Sequence, residues 1–140
     1  MEIAELKDKN EWLQAFPLIK QLRKDLTEES YIDLLTEMSK QGYTLFVLYA
    51  EGKIVCAAGV AYRVNFYNRR HVFVYDLVTD SLYRSQGYGE KMLTFIHQWA
   101  KERGAEYVAL ESAIQREEAH RFYEDKLQYD KWCYSFRKKI

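Results

Sequence analysis

The 140-residue sequence is poor in the residues that break chains up: it has one proline, six glycines and two cysteines. So little Pro and Gly excludes a low-complexity or linker-rich chain and leaves no composition shift to mark a domain boundary. Cys56 and Cys133 are far apart and have no metal-ligand spacing, so they read as reduced, packed thiols rather than a disulfide frame or zinc site. No run of 18 apolar residues occurs and no leader precedes the first charged residues. The sequence therefore reads as a soluble, cytoplasmic protein with no membrane partner. Charge of one sign is missing too, with 21 basic residues against 21 acidic. A nucleic-acid-binding domain carries a basic excess or stripe. Arg69-Arg70 and Arg137-Lys138-Lys139 are too short to be one, so no nucleic-acid partner is expected.

What is present is core material. Apolar residues make up 48% of the chain and aromatics 16%, enough for a single domain over residues 1–140 that needs no structural metal. Glu2 to Leu6 alternates like a short strand. Trp12, Phe16, Ile19, Leu22 and Leu26 recur at helical spacing, with Pro17 either kinking the helix or opening its main part. Thr27 caps a second helix that turns Tyr31, Leu34, Leu35 and Met38 inward and stops near Gly42. Strands follow over 43–50, 53–64 and 71–79, the first two joined at Glu51-Gly52. The apolar run at Val72, Val74, Leu77 and Val78 does not alternate cleanly, which predicts a bulge or burial on both sides. A helix over 87–103, a strand over 107–110, a helix over 116–126 and a closing strand over 132–136 complete the order β-α-α-β-β-β-α-β-α-β, an α/β layered domain around a mixed sheet.

The stretch Asp76 to Gly89 carries the chemistry. A strand leads into a glycine-containing turn that opens a helix, where unpaired amides and the positive end of the helix dipole suit an anion. Gly87 and Gly89 clear side chains from the path of an approaching phosphate. Arg84 adds a donor suited to it. No Gly-Lys-Ser/Thr follows, so this is not a P-loop, and the dinucleotide spacing is absent. The residues alone leave a phosphate cradle and a plain structural turn both open.

Arg84-x-x-Gly87-x-Gly89, after a strand and before a helix, resembles the acetyl-CoA-binding motif of the GNAT acyltransferase superfamily. Ala119-His120-Arg121-Phe122-Tyr123-Glu124 resembles the stretch after that family's fifth strand, and the element order of the whole chain fits. The segment Arg116 to Tyr123 also resembles aminoalkylphosphonate N-acetyltransferases. Arg116 stands where many members have Asn, and Leu127-Gln128-Tyr129 where a Gly-Phe pair usually ends the region. The resemblance implies a GNAT-like mixed sheet with strands four and five splayed, so that the pantetheine arm pairs with the backbone of Leu77, Val78 and Thr79. It implies acetyl-CoA as cosubstrate, held by Arg84, Ser85, Gln86, Gly87, Tyr88 and Gly89, with Arg116, Ala119 and Phe122 contributing from the later helix, and no metal.

The implied reaction is acetyl transfer to a primary amine by direct attack in a ternary complex. Tyr123 is the candidate proton donor to the leaving thiolate, against a packed core tyrosine. Asp76 and Glu111 are the candidates for binding the ammonium or relaying its proton, against structural or solvated carboxylates. His120, beside Tyr123, could touch either substrate. Tyr62, Phe66, Tyr67 and Tyr75 either pack on the sheet or line the acceptor site. The acceptor is expected to be a small molecule ahead of a protein, and dimerisation is common in the family. The competing readings are a non-catalytic coenzyme A or acyl-CoA sensor and a structural α/β module.

Overall fold

The computed structural model describes residues 2–112 and 116–140, and the chain divides into two compact units, Met1–Ala109 and Leu110–Ile140. Over residues 2–110 the elements run β1 (Glu2–Leu6), α1 (Lys9–Leu22), α2 (Glu28–Lys40), β2 (Thr44–Ala50), β3 (Lys53–Asn65), β4 (Arg69–Thr79), a 3-10 turn (Ser81–Tyr83), α3 (Tyr88–Glu102) and β5 (Tyr107–Leu110). The strands lie in chain order, β1-β2-β3-β4-β5; β1 to β4 are antiparallel neighbours and β5 joins β4 in parallel after the α3 crossover. The structure thus has the expected mixed α/β sheet.

Local chemistry explains the boundaries. Asp8 caps α1 by accepting from the Glu11 amide, and Thr27 and Ser30 form a reciprocal capping box on α2. Pro17 lies inside α1 rather than at its start. Glu51 and Gly52 have φ of 52° and 76°, the pair of left-handed residues that a tight β2–β3 hairpin demands.

Strand alternation then sorts the core. Leu45 and Val47 of β2 face α1 and α2, where they meet Ala15, Leu18, Ile19, Tyr31 and Leu35. Phe46, between them, points to the opposite face, where Phe95 and Trp99 of α3 meet its ring edge-on at 5.0 and 5.5 Å. Met92, Leu93 and Ile96 of α3 are fully buried, and each contributes roughly 1.5–3 kcal/mol of transfer free energy. On the central strand β3, Val55 to Ala61 are buried without alternation because both faces are covered.

Two features of β4 matter for the site. The β3–β4 register skips between Gly59 and Val60, which pair with Asp76 and Val74, so Tyr75 is the extra residue of a bulge. The irregular apolar pattern of this strand is thereby explained. β5, moreover, is short. The Glu106 amide donates to the Arg70 carbonyl at 2.6 Å, which sets β5 beside the first half of β4. β5 has 4 residues against 11 in β4, so the Asp76–Thr79 end of β4 runs on past it.

In the second unit, α4 (Glu117–Arg121) passes directly into a π turn (Phe122–Lys126). The expected strand over residues 132–136 is not formed. Trp132, Tyr134 and Phe136 are 65%, 74% and 91% exposed. Their alternation has the strand signature, but a strand exists only through ladder partners, and no strand ladder joins this segment to the other described residues.

Candidate functional site

The turn after β4 is pinned to the rest of the protein by its first amides. Asp80 anchors it: its amide donates to the Val55 carbonyl at 2.8 Å, and its carboxylate accepts from the Leu82 amide at 3.0 Å. The Ser81 amide donates to Gln21 Oε1 at 3.0 Å, which ties the turn to α1. Arg84 reaches back towards the Thr79 carbonyl with Nε at 3.5 Å and stays exposed. Ser85 and Gly87 both have positive φ, 63° and 84°. Arg84 before them is extended, so the chain reverses sharply through these two left-handed residues as it enters the helix.

Gly87 is the N-cap of α3 and, having no side chain, leaves the helix start without a side-chain cap. A Cβ placed on Gly87 would meet nothing within 4 Å. The glycine is therefore not required by crowding within the protein; it keeps space open in front of the amides. The open helix start, with the exposed Arg84 three residues before it and the positive end of the helix dipole, has the chemistry that suits an anion.

Asp76 sits at the bulge in a half-buried cluster. Its Oδ1 accepts from Arg23 Nε at 2.9 Å and its Oδ2 from the Tyr43 hydroxyl at 2.7 Å. Arg23, at the end of α1, also donates from Nη2 to the Tyr75 carbonyl at 2.8 Å, fastening the bulge. Tyr43 reaches Asp76 by crossing β3 at Gly59, where any Cβ would overlap its hydroxyl and ring. Tyr31 is nearby and donates to the Trp12 carbonyl at 2.6 Å. Burial first, then the negative charge of Asp76, pushes both phenols well above their ordinary pKa, so both stay protonated. A cavity of about 560 Å³ opens over this cluster between α1, α2 and β4.

The remaining candidates fall out as follows. Leu77 and Thr79 are half-buried, and Val78 is buried in the core under α1 and α2. Ser85 and Gln86 are exposed, and Tyr88 and Gly89 are half-buried in the first turn of α3. Phe66 and Tyr67 are exposed at 103% and 67% in the β3–β4 connection and do not line the cavity over Asp76. Tyr75 packs its ring on Phe73 at 4.7 Å and on Tyr43 at 6.1 Å.

In the second unit, Glu111 is exposed just after β5, and Arg116, also exposed, is the N-cap of α4. Ala119, His120 and Phe122 are half-buried. Tyr123 is buried in the π turn, between Phe122 at 5.5 Å and Tyr129 at 6.0 Å. Burial raises its pKa and the Arg116 charge pulls the other way, which leaves a neutral phenol able to donate.

Among the described residues, no group of three His, Cys, Asp or Glu side chains is placed to hold a metal ion, and no helix is long and apolar enough to cross a membrane. Arg23, Tyr43 and Gly59 were not visible as site residues in the sequence. They lie on three separate elements, and no motif joins them. The one available hint was a glycine inside an otherwise regular strand, which signals close approach by another group.

Comparison with known proteins gives a consistent result. Residues 9–129 match the acetyltransferase (GNAT) family. The sequence is 36% identical over 141 residues to the "Uncharacterized N-acetyltransferase YhdJ" of Bacillus subtilis (strain 168), covering 100% of this chain and 99% of that protein. The fold is similar to that of the aminoglycoside N-acetyltransferase AAC(6')-Iy in complex with CoA, with a TM-score of 0.85, 15% identity and coverage of 99% and 93% of the two chains. It is also similar to an aminoglycoside acetyltransferase, meta-AAC0020, from an uncultured soil metagenomic sample in complex with sisomicin, with a TM-score of 0.83, 21% identity and coverage of 99% and 95%.

Proposed function

Because the chain belongs to the GNAT acetyltransferase family and is an acetyl-CoA-dependent acyltransferase, we propose that it acetylates a primary amine of a small molecule by direct attack in a ternary complex, with both units serving one catalytic domain. The observation that carries this reading is a start of α3 where Gly87 offers no side-chain cap and no crowding, after a strand that extends past β5. The backbone of Gln86 to Gly89, with Arg84 and Ser85, holds the diphosphate. Leu77, Val78 and Thr79 offer backbone groups to the pantetheine arm, since N–H and C=O groups at a parted edge need partners. When bound, acetyl-CoA supplies a thioester carbonyl open to attack.

The protein's own residues do the rest. An alkyl ammonium with a pKa of about 10.4 must lose a proton before it can attack. Asp76 binds the ammonium or relays its proton through water to bulk base. Its two oxygens are already engaged by Arg23 and Tyr43, which fixes its orientation but leaves lone pairs for a third donor. Glu111, exposed and outside any described cluster, serves less well. Tyr123 donates a proton to the departing sulfur, with Arg116, Ala119 and Phe122 supporting the coenzyme from the same segment. A small-molecule acceptor is favoured by the aminoglycosides named for the two similar structures. The test is thiol release from acetyl-CoA across a broad amine panel. Release with a subset of amines, and acetylated product by mass spectrometry, is expected. No release with coenzyme still bound would instead indicate a binding domain without catalysis.

A further inference from the structure

We propose that the cavity over Asp76 is the acceptor site and that it selects a primary amine carried on a compact apolar body, aliphatic or aromatic, over amino sugars and over amines bearing an anion. This rests on the acetyl-transfer reading above and names its substrate class.

The volume, about 560 Å³, is that of a small-molecule site. Its walls are aliphatic: Leu22 from α1, Leu26 from the connection, and Leu34, Leu35 and Met38 from α2. Its polar groups belong to Tyr31, Tyr43, Asp76 and the Arg23–Asp25 edge. The hydroxyl protons of Tyr31 and Tyr43 are already committed, to the Trp12 carbonyl and to Asp76. What these phenols have left is lone pairs, and Asp76 likewise only accepts. Arg23 has spent Nε and Nη2 on Asp76 and the Tyr75 carbonyl. Lys20 Nζ is held by the Lys24 and Leu26 carbonyls at 2.8 and 2.5 Å.

An ammonium has three donors and no acceptor, so it complements this set of oxygens. An amino sugar would bring hydroxyls against leucine, where they lose water without gaining partners. A carboxylate or phosphonate would be repelled by the Asp76 carboxylate, and the nearest cationic charge, on Arg23, is already paired with that carboxylate. Lys24 and Asp25 at the rim are opposite in charge and give no net attraction for an anion. Asp76 also immediately precedes Leu77 to Thr79, so an amine held there lies next to the strand segment assigned to the pantetheine arm.

The experiment measures kcat/KM at saturating acetyl-CoA for phenethylamine, hexylamine, an aminoglycoside, an aminoalkylphosphonate and a free amino acid. Expected is a preference of tenfold or more for the first two. Leu34→Asn, at a residue already 48% exposed, should cut that preference on the order of tenfold through KM, with the KM for acetyl-CoA unchanged. Independently of turnover, phenethylamine titrated into the isotope-labelled protein should shift the methyl resonances of Leu34, Leu35 and Met38. Amine acetylation that favours amino sugars, phosphonates or amino acids overturns this inference and leaves the reaction standing. Thiol release with no amine at all overturns the reaction and this inference with it. Methyl shifts confined to other regions also overturn the site.

Discussion

Gly59→Ala tests the reasoning behind the Asp76 cluster. The substitution is mild in a strand and would ordinarily recover about 0.5–1 kcal/mol of conformational entropy. Here the new methyl would occupy the space of the Tyr43 hydroxyl and ring. Either β3 moves or Tyr43 leaves. If Tyr43 leaves, its bond to the Asp76 carboxylate is lost, about 1.5–3 kcal/mol for a bond to a charged group. Its departure also exposes a buried aromatic ring, about 1.5–3 kcal/mol more. After subtracting the entropy gain, the net loss is about 3 kcal/mol, a fall in Tm of roughly 10 °C for a domain of this size.

The assay is thermal or urea unfolding of four proteins: the parent, Gly59→Ala, Tyr43→Ala and the double variant. If the ring is the obstacle, adding Gly59→Ala to Tyr43→Ala costs nothing or stabilises slightly, and the coupling between the two is about 3 kcal/mol. Equal costs of Gly59→Ala in both backgrounds, within about 0.5 kcal/mol, would show that Gly59 serves the backbone and not Tyr43, and the argument would fail.

Other expectations are open to direct measurement. Gly87→Val should abolish acetyl-CoA binding by calorimetry, because φ of 84° strains a branched side chain and displaces the helix-start amides, while the fold survives because no neighbour crowds the site; undiminished binding would refute the cradle. Tyr123→Phe should lower kcat by about 10²–10⁴-fold with little change in coenzyme affinity; unaltered turnover would return Tyr123 to a packing role. Burial raises the Cys56 thiol from 9.0 to about 11, against smaller opposing bonds from the Thr79 hydroxyl and the Ala57 backbone. Its raised pKa in the folded state means that the unfolded chain loses this proton first. The stabilisation is therefore full below pH 9 and lost as pH rises to about 11, some 2–3 kcal/mol in all. Cys56→Ala should flatten the fall in stability between pH 9 and 11; an unchanged slope would contradict it. In the folded protein a thiol reagent should label exposed Cys133 and spare buried Cys56.

Most of the fold was readable in local pattern. Thr27 as a cap and Glu51-Gly52 as a turn are properties of a few adjacent residues, and the structure places them so. Pro17 and Trp132 to Phe136 were harder for opposite reasons. A helix with packed faces tolerates a proline that propensity alone would place at its start. Alternating aromatics cannot make a strand unless another edge accepts their hydrogen bonds.

The candidate site divides along the same line. The run Arg84 to Gly89 is contiguous, its chemistry is carried by backbone geometry, and glycine spacing announces that geometry in the sequence itself. The order of elements and the family they indicate follow from such short-range signals. The cluster at Asp76 is different in kind. It exists because the register sets Gly59 opposite Asp76, because the missing Cβ lets Tyr43 cross β3, and because the end of α1 brings Arg23 onto the bulge. These distances are set by strand pairing and helix docking, which join residues 53 and 33 positions apart, and no local pattern encodes them. Whether Asp76 was a free base or a held anion was therefore a question only the tertiary structure could decide.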